Sequence, residues 1–468
     1  MTAGTVRLAS TQGRWLLAAM ILGSGMAFLD GSIVGLALPA MNTDLDAGAA
    51  GVQWIVNAYT LTLAALILVG GSLGDRLGRR KVFATGVAGF AAASILCALA
   101  PTIEVLIAAR GLQGIGAALL TPGSLAIISA SFAPEDRGPA IGMWSGLAGV
   151  TTAIGPLVGG WLVDTTGWRG IFWINVPLAA LVVWIAVRHV PETVGEQEPI
   201  DYGGAALTAV GLATLTYGLV AESWPWIAGG IVLLAVFVLH QRMAPHALVP
   251  LSLFADRVFT AANICTFAIY GALAASSFLL VQQLQYVSGF SPLVAGLASV
   301  PMTIIMLLFS SRAGRLGARI GPRWPMTIGP LIAAIGLLLM LRIGDDASFW
   351  TDVLPASIVF GAGITVLVAP LTTAVLAAAP MAQTGIASGI NNAVARTASL
   401  LAVAAIPPIA GIAGRDFADP DVFGPGFRTG TLICVGMLVV AAACAAGLIH
   451  GRAVSPEALQ AEGGPEAA

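Results

Sequence analysis

A chain of 468 residues that is 57% hydrophobic, 9% charged and of mean hydropathy +0.91 has too little polar surface for a water-soluble globule. It reads as an all-α, multi-pass membrane protein. A net charge of −2 excludes electrostatic capture of nucleic acid. Cys97, Cys265, Cys434 and Cys444 fall inside apolar runs as small core residues, and His189, His240, His246 and His450 sit at or beyond run ends. No phosphate loop, nucleophile elbow or metal-ligand spacing occurs, so an enzyme is not expected and no catalytic, cofactor or metal residue is assigned.

In chain order, a short polar start precedes a first apolar run at about 15–39, too long for a signal-peptide core. Five more follow at about 52–71, 82–100, 104–128, 138–162 and 170–189. A polar stretch, 191–200, leads to two shorter runs near 203–221 and 226–240. Six further runs lie at about 258–283, 293–311, 324–342, 350–371, 385–411 and 427–449, before a Gly-, Pro- and Glu-rich tail expected to be disordered. Fourteen helices put both termini on one side, and with that side cytoplasmic, fifteen of the 21 Lys and Arg lie inside. The outer four are Arg169, Arg342, Arg415 and Arg428. The division expected is 1–190 as a first six-helix bundle and 191–257 as a linker with two inserted helices. A second bundle then covers 258–450, with 451–468 as the tail.

Between the second and third runs stands Gly71-Ser-Leu-Gly74-Asp75-Arg76-Leu-Gly78-Arg79-Arg80-Lys81. Its charge density predicts a short cytoplasmic connector, which by itself does no more than set topology. Gly314-Arg-Leu-Gly-Ala318-Arg-Ile-Gly321-Pro-Arg323 repeats the glycines and two arginines, with Ala318 in place of Asp75. A duplicated half leaves that trace.

Asp30 lies inside the first run, roughly 14 Å from Pro39 at helical rise. A carboxylate at that depth requires a cavity, a partner or a proton. Arg110, roughly 10 Å into the fourth run from the same side, is the candidate partner. Either a structural ion pair or a group that exchanges protons accounts for them. The fifth run carries Gly142, Gly146, Gly149, Gly155, Pro156, Gly159 and Gly160. The four-residue spacing of Gly155 and Gly159 predicts the face on which the two bundles meet, with Gly160 less critical. Arg396, near mid-membrane in the thirteenth run, faces the cavity or bonds carbonyls. Gln282, Gln283 and Gln285 end the ninth run and line a vestibule or are solvated.

The Gly71–Lys81 pattern resembles, position for position, the loop between the second and third helices of the major facilitator superfamily. The chain as a whole is similar to that superfamily's fourteen-helix drug:proton antiporter group. Leu29-Asp30 with Ala37-Leu38-Pro39 resembles its helix-1 motif, and Gln53-Trp54-Ile55-Val56 with Tyr59 its helix-2 start. Arg110-Gly-Leu-Gln113-Gly114 resembles the helix-4 motif linked to proton coupling. Gly146 through Gly155-Pro156-Leu-Val-Gly159-Gly160 resembles the helix-5 motif of antiporters. Trp168-Arg169 with Asn175-Val-Pro177 fits the next connection, whereas Ser32 and Gly35 stand where the group has Thr and Asn.

The resemblance implies the superfamily's fold, two six-helix bundles with two inserted helices, and proton-coupled efflux of small amphipathic or drug-like compounds by alternating access. Proton coupling falls to Asp30 and Arg110, and conformational switching to Gly71, Gly74, Asp75, Arg76, Gly78, Arg79 and Arg80. In that switch Asp75 latches the outward-open form at the helix start near Thr384. The cavity falls to Gln53, Trp54, Tyr59, Gln113 and Arg396. The implied partners are a small-molecule substrate, protons and the lipid bilayer of the cytoplasmic membrane, with no cofactor and a monomeric chain. Export of a dedicated endogenous product is the alternative, and nutrient symport a more distant one.

Overall fold

Apolar runs of this length satisfy their backbone in lipid by becoming α-helices. The structure, a computed structural model, describes residues 6–195, 199, 201–380, 383–414 and 418–449. The expected tail, Arg415 and His450 lie outside them.

The first group of helices is α1 (Thr11–Leu45), α2 (Gly48–Leu77), α3 (Arg79–Ala98), α4 (Ile103–Ser131), α5 (Pro134–Thr166), α6 (Gly170–Trp173) and α7 (Asn175–His189). The inserted pair is α8 (Tyr202–Val220) and α9 (Trp224–Met243). The second group is α10 (Arg257–Gln282), α11 (Pro292–Leu297), α12 (Val300–Ile320), α13 (Arg323–Met340), α14 (Leu354–Ala377), α15 (Thr384–Ile409) and α16 (Pro420–Leu448). Among the described residues, 13 stretches are long and apolar enough to cross a membrane, with α6 and α7 forming one and α11 with α12 another. The remaining long helix, α5, has 33 residues. Every expected apolar run falls on a helix.

Two boundaries differ from expectation. The first helix does not stop at Pro39 but continues to Leu45, since a proline inside a long helix deletes one backbone bond and the rest of the ladder persists. The basic connector is hardly a loop. Gly71–Leu77 form the last turns of α2, Arg79 opens α3, and Gly78 alone breaks the helix at φ +106°. A side chain is disfavoured at that angle, which explains a glycine there. Gly321 makes the same break between α12 and α13 at φ +82°. The repeat extends further: Gly86 of α3 meets the backbone of Gly116 in α4, and Gly329 of α13 meets that of Gly363 in α14. The duplicated half is thus visible in packing as well as in sequence.

The breaks at Gly78 and Gly321 lie on the face that also holds the start of α1; we call this the terminal face and its opposite the far face. Val6 bridges to Phe132 there, and Arg7 pairs with Glu135 and Asp136 at the start of α5. The inserted α8 packs against α9 and lies across both α2 and α15, where Leu212 joins Ala64 and Leu400 in one apolar cluster. Asp201 caps α8 through Gly204 N at 2.7 Å and holds His240 at 2.8 Å and Gln241 at 2.7 Å, clasping the pair's two ends.

Candidate functional site

Close approach of α2 and α4 sets the site. A Cβ built at Gly114 would lie 2.3 Å from Tyr59 O and 2.1 Å from Thr62 Oγ1, so a side chain there would push the helices apart. Thr62 Oγ1 donates to Gly111 O at 2.8 Å across the same contact. Against this seam α4 turns Arg110 and Gln113 inward on one face, as a spacing of three dictates.

Arg110 Nη1 donates to Asp30 Oδ2 at 2.6 Å and also to Gln113 Oε1, while its Nε donates to Ile55 O at 3.1 Å. Gln113 Nε2 donates to Asp30 Oδ1 at 2.9 Å and to Ser94 Oγ at 2.8 Å. Ser94 Oγ also receives Asn175 Nδ2 at 3.3 Å. The guanidinium carbon lies 4.5 Å from the Tyr59 ring centroid and 5.9 Å from that of Phe172. Asp30, Arg110, Gln113, Ser94 and Asn175 are all buried, with exposures of 3% or less. Six helices converge here, and both carboxylate oxygens are occupied. A buried pair with so many charge-assisted bonds is held firmly only while both members keep their charge.

Of the residues read from sequence, the structure therefore joins Asp30, Arg110, Gln113 and Tyr59. It does not join Gln53 or Trp54 to them: Gln53 is buried with Oε1 unpartnered, and Trp54 is half-buried further along α2. Arg396 lies on α15, half-buried, and among the described residues makes no hydrogen bond to Asp30. The structure adds Ser94, Asn175 and Phe172 to the site. A serine or phenylalanine in an apolar run carries no signal of a partner, and Asn175 stands in the sequence only as part of a connection.

The glycines of α5 divide differently from expectation. A Cβ at Gly155 would lie 2.3 Å from Ser32 Oγ, and one at Gly159 2.7 Å from Ile33 Cγ1, both on α1 of the same bundle. It is Gly160 that meets the other bundle, with Leu293 Cα 2.5 Å from such a Cβ, while Gly296 packs on Pro156 O. The surroundings of Gly146 lie outside the described residues. Leu36 O accepts from Gln285 Nε2 at 3.1 Å, Asp164 Oδ2 from Leu293 N at 3.4 Å, and Gly414 O from Ala49 N at 3.2 Å. The bundles are thus closed together on the far face.

On the terminal face, Asp75 takes Arg79 Nε and Nη2, each at 2.7 Å, and Gly195 N donates to Asp75 O at 3.0 Å. Glu192 receives Arg80 N at 3.0 Å and pairs with Arg80 Nε at 3.5 Å, while Thr193 O receives Arg79 N at 2.9 Å. The start of the 191–257 linker therefore lies over the Gly78 break. Asp75 makes no hydrogen bond to α15 among the described residues.

The comparisons with known proteins agree with this architecture. The family model of the Major Facilitator Superfamily matches residues 20–403 and 262–467. The chain is 37% identical over 388 residues to the Multidrug resistance protein Stp of Mycobacterium tuberculosis (strain CDC 1551 / Oshkosh), covering 80% of this chain and 71% of that one. It is 32% identical to the Tetracenomycin C resistance and export protein of Streptomyces glaucescens, covering 83% and 74%. Among solved structures, a POT family transporter in complex with 5-aminolevulinic acid superposes with a TM-score of 0.70 at 13% identity, covering 93% and 97%. The chain belongs to the Major Facilitator Superfamily and is a multi-pass transporter of the cytoplasmic membrane.

Proposed function

We propose that the chain exports small amphipathic compounds in exchange for protons, by alternating access of its two bundles. The buried Asp30–Arg110 pair carries this reading. It is a deep carboxylate whose charge is held by one guanidinium and one amide, so a rearrangement that withdraws Arg110 leaves a desolvated acid that takes up a proton. Substrate that favours the deprotonated form then drives proton release, by reciprocal linkage. In this reading α5 also crosses the bilayer, giving fourteen crossings with cytoplasmic termini. Residues 1–190 and 258–450 are the rocking bodies, around a cavity near the midplane. In this reading the far face is the outer one, so its closed contacts form the outer gate.

Export of one endogenous product is the second reading, favoured by the name of the Streptomyces relative, which combines resistance with export. The test is transport of a compound panel into inside-out vesicles under an imposed proton gradient. Accumulation by the wild type and its loss in Asp30→Asn is the expected result. Accumulation undiminished in Asp30→Asn places the proton carrier elsewhere. Import rather than export in the same vesicles overturns the antiport reading.

A further inference from the structure

The spans of the second bundle contain no carboxylate: no Asp or Glu occurs at 258–340, 353–410 or 422–449. Yet α15 carries Arg396, roughly 18 Å along the helix from its start at Thr384, close to its midpoint. The side chain is half-buried and, among the described residues, makes neither an ion pair nor a hydrogen bond. One turn before it Ala393 packs on the core of the first bundle, and one turn after it Leu400 joins Ala64 of α2 and Leu212 of α8. Residues three and four apart share a helix face, so Arg396 stands on the face of α15 that is turned to the first bundle. The neighbouring amide one turn away is already committed, Asn391 Nδ2 donating to Thr266 Oγ1 at 2.7 Å and to Asn263 Oδ1 at 3.1 Å.

The first bundle offers Arg396 no relief. Asp30, deep in α1, has both oxygens occupied by Arg110 and Gln113. Once that pair cancels, one full positive charge remains at mid-depth, bearing five N–H donors. A cation there is tolerated where it reaches a cavity, and an uncompensated one attracts whatever anion enters. A cationic cargo meets the same charge as repulsion.

We propose that Arg396 anchors an acidic group of the cargo, so that the transporter selects small amphipathic organic acids, carboxylates or ionised phenols, over neutral and cationic compounds of the same shape. The inference rests on the export reading for its route and adds the charge of the cargo. It is tested with three probes that share one aromatic body: 2-naphthoxyacetate, its primary amide, and the corresponding trimethylammonium compound. Binding to the purified full-length protein is measured by calorimetry, and proton-driven movement in proteoliposomes.

The wild type is expected to bind the acid at least about tenfold more tightly than the amide, as one charge-assisted contact provides. Arg396→Gln lowers acid affinity to that of the amide, at least about tenfold, in a protein whose unfolding temperature matches the wild type's. Arg396→Lys retains part of the preference. A wild type that binds the acid no more tightly than the amide, or binds neither, overturns the inference, as does an Arg396→Gln protein that still prefers the acid. Acid-selective binding without proton-driven movement overturns the export reading alone, and movement of the amide without acid preference overturns the charge assignment alone.

Discussion

Leu293 Cα stands 2.5 Å from where a side chain on Gly160 would begin, so backbone meets backbone where α5 touches the second bundle. Leu293 and the Pro292 carbonyl beside it are both main-chain atoms, which have nowhere to go. Even a methyl group at 160 therefore holds the far face open. Gly160→Ala is expected to shift the protein toward the outward-open form and to cut transport at least about tenfold, the effect of a population shift of about 1.4 kcal/mol. Gly159→Ala meets the β-branch of Ile33, with Cγ1 and Cγ2 each 2.7 Å away, and strains the first bundle internally. Accessibility of a cysteine placed near the far face, measured by labelling rate, separates the two. Equal labelling in Gly160→Ala and wild type removes the closure role.

The break at Gly78 gives a second prediction. Glu192 lies against it, with carboxylate atoms 2.7 Å from where a Cβ would stand, and it binds Arg80 through both backbone and side chain. Glu192 and Arg80 are half-buried, so the pair is worth no more than about 1 kcal/mol. That is enough to bias two states of similar energy. In the outward-open form the switch reading moves Asp75 to the start of α15; in the present form Arg79 holds it. Asp75→Asn is expected to slow transport severalfold with substrate affinity unchanged, and Glu192→Gln to raise the outward-open population. Full turnover by Asp75→Asn excludes the switch.

Much of this was legible in the chain. Helical rise alone set Asp30 and Arg110 at similar depth, and depth is what pairs residues on adjoining helices. The glycine spacing of α5 gave a close-packed face, but not its partner: Gly155 and Gly159 share a face turned to α1, and Gly160, about 100° round the helix, faces the other bundle. Gly71–Lys81 looked like a loop because glycines and charges dominate it. One residue at positive φ suffices for the reversal, and the rest remains helical. Ser94 and Asn175 became part of the site only through tertiary packing of α3 and α7, which no local pattern encodes.

The clasp of the inserted pair has a defined pH dependence. Burial opposes ionisation of Asp201, but hydrogen bonds from Gly204 N, His240 and Gln241 outweigh it and hold the carboxyl below its ordinary range. A depressed carboxyl pKa contributes stability above its unfolded value and loses it as pH falls through the folded one. The clasp is therefore complete at neutral pH and released only below the ordinary aspartate value of about 3.9. Asp201→Ala is expected to open the first turn of α8 at neutral pH, raising amide exchange at Gly204 about fivefold for a lost cap of about 1 kcal/mol. Exchange there that is unchanged by the substitution shows that packing against α2 and α15 holds the turn instead.

The energetic signature of the Asp30–Arg110 pair distinguishes it from two independent polar residues. Removing either partner strands the other's charge in a buried site, a cost of about 3–5 kcal/mol. Removing both charges in a similar volume leaves a neutral, hydrogen-bonded pair, and replacements of this kind are often nearly neutral. Asp30→Asn and Arg110→Gln should each lower thermal stability of the purified protein, Arg110→Gln the more, since it leaves the carboxylate with one donor from Gln113. The double variant should recover most of the loss while remaining unable to couple transport to a proton gradient. Arg110→Lys tests geometry at constant charge. Its single ammonium cannot reproduce a guanidinium that reaches Asp30 and Gln113 with one nitrogen and Ile55 O with another. It should fold, transport slowly, and show a displaced pH–rate profile. Additive losses in the double variant mean that the two charges do not depend on each other, and Arg110 then has no hold on the proton affinity of Asp30.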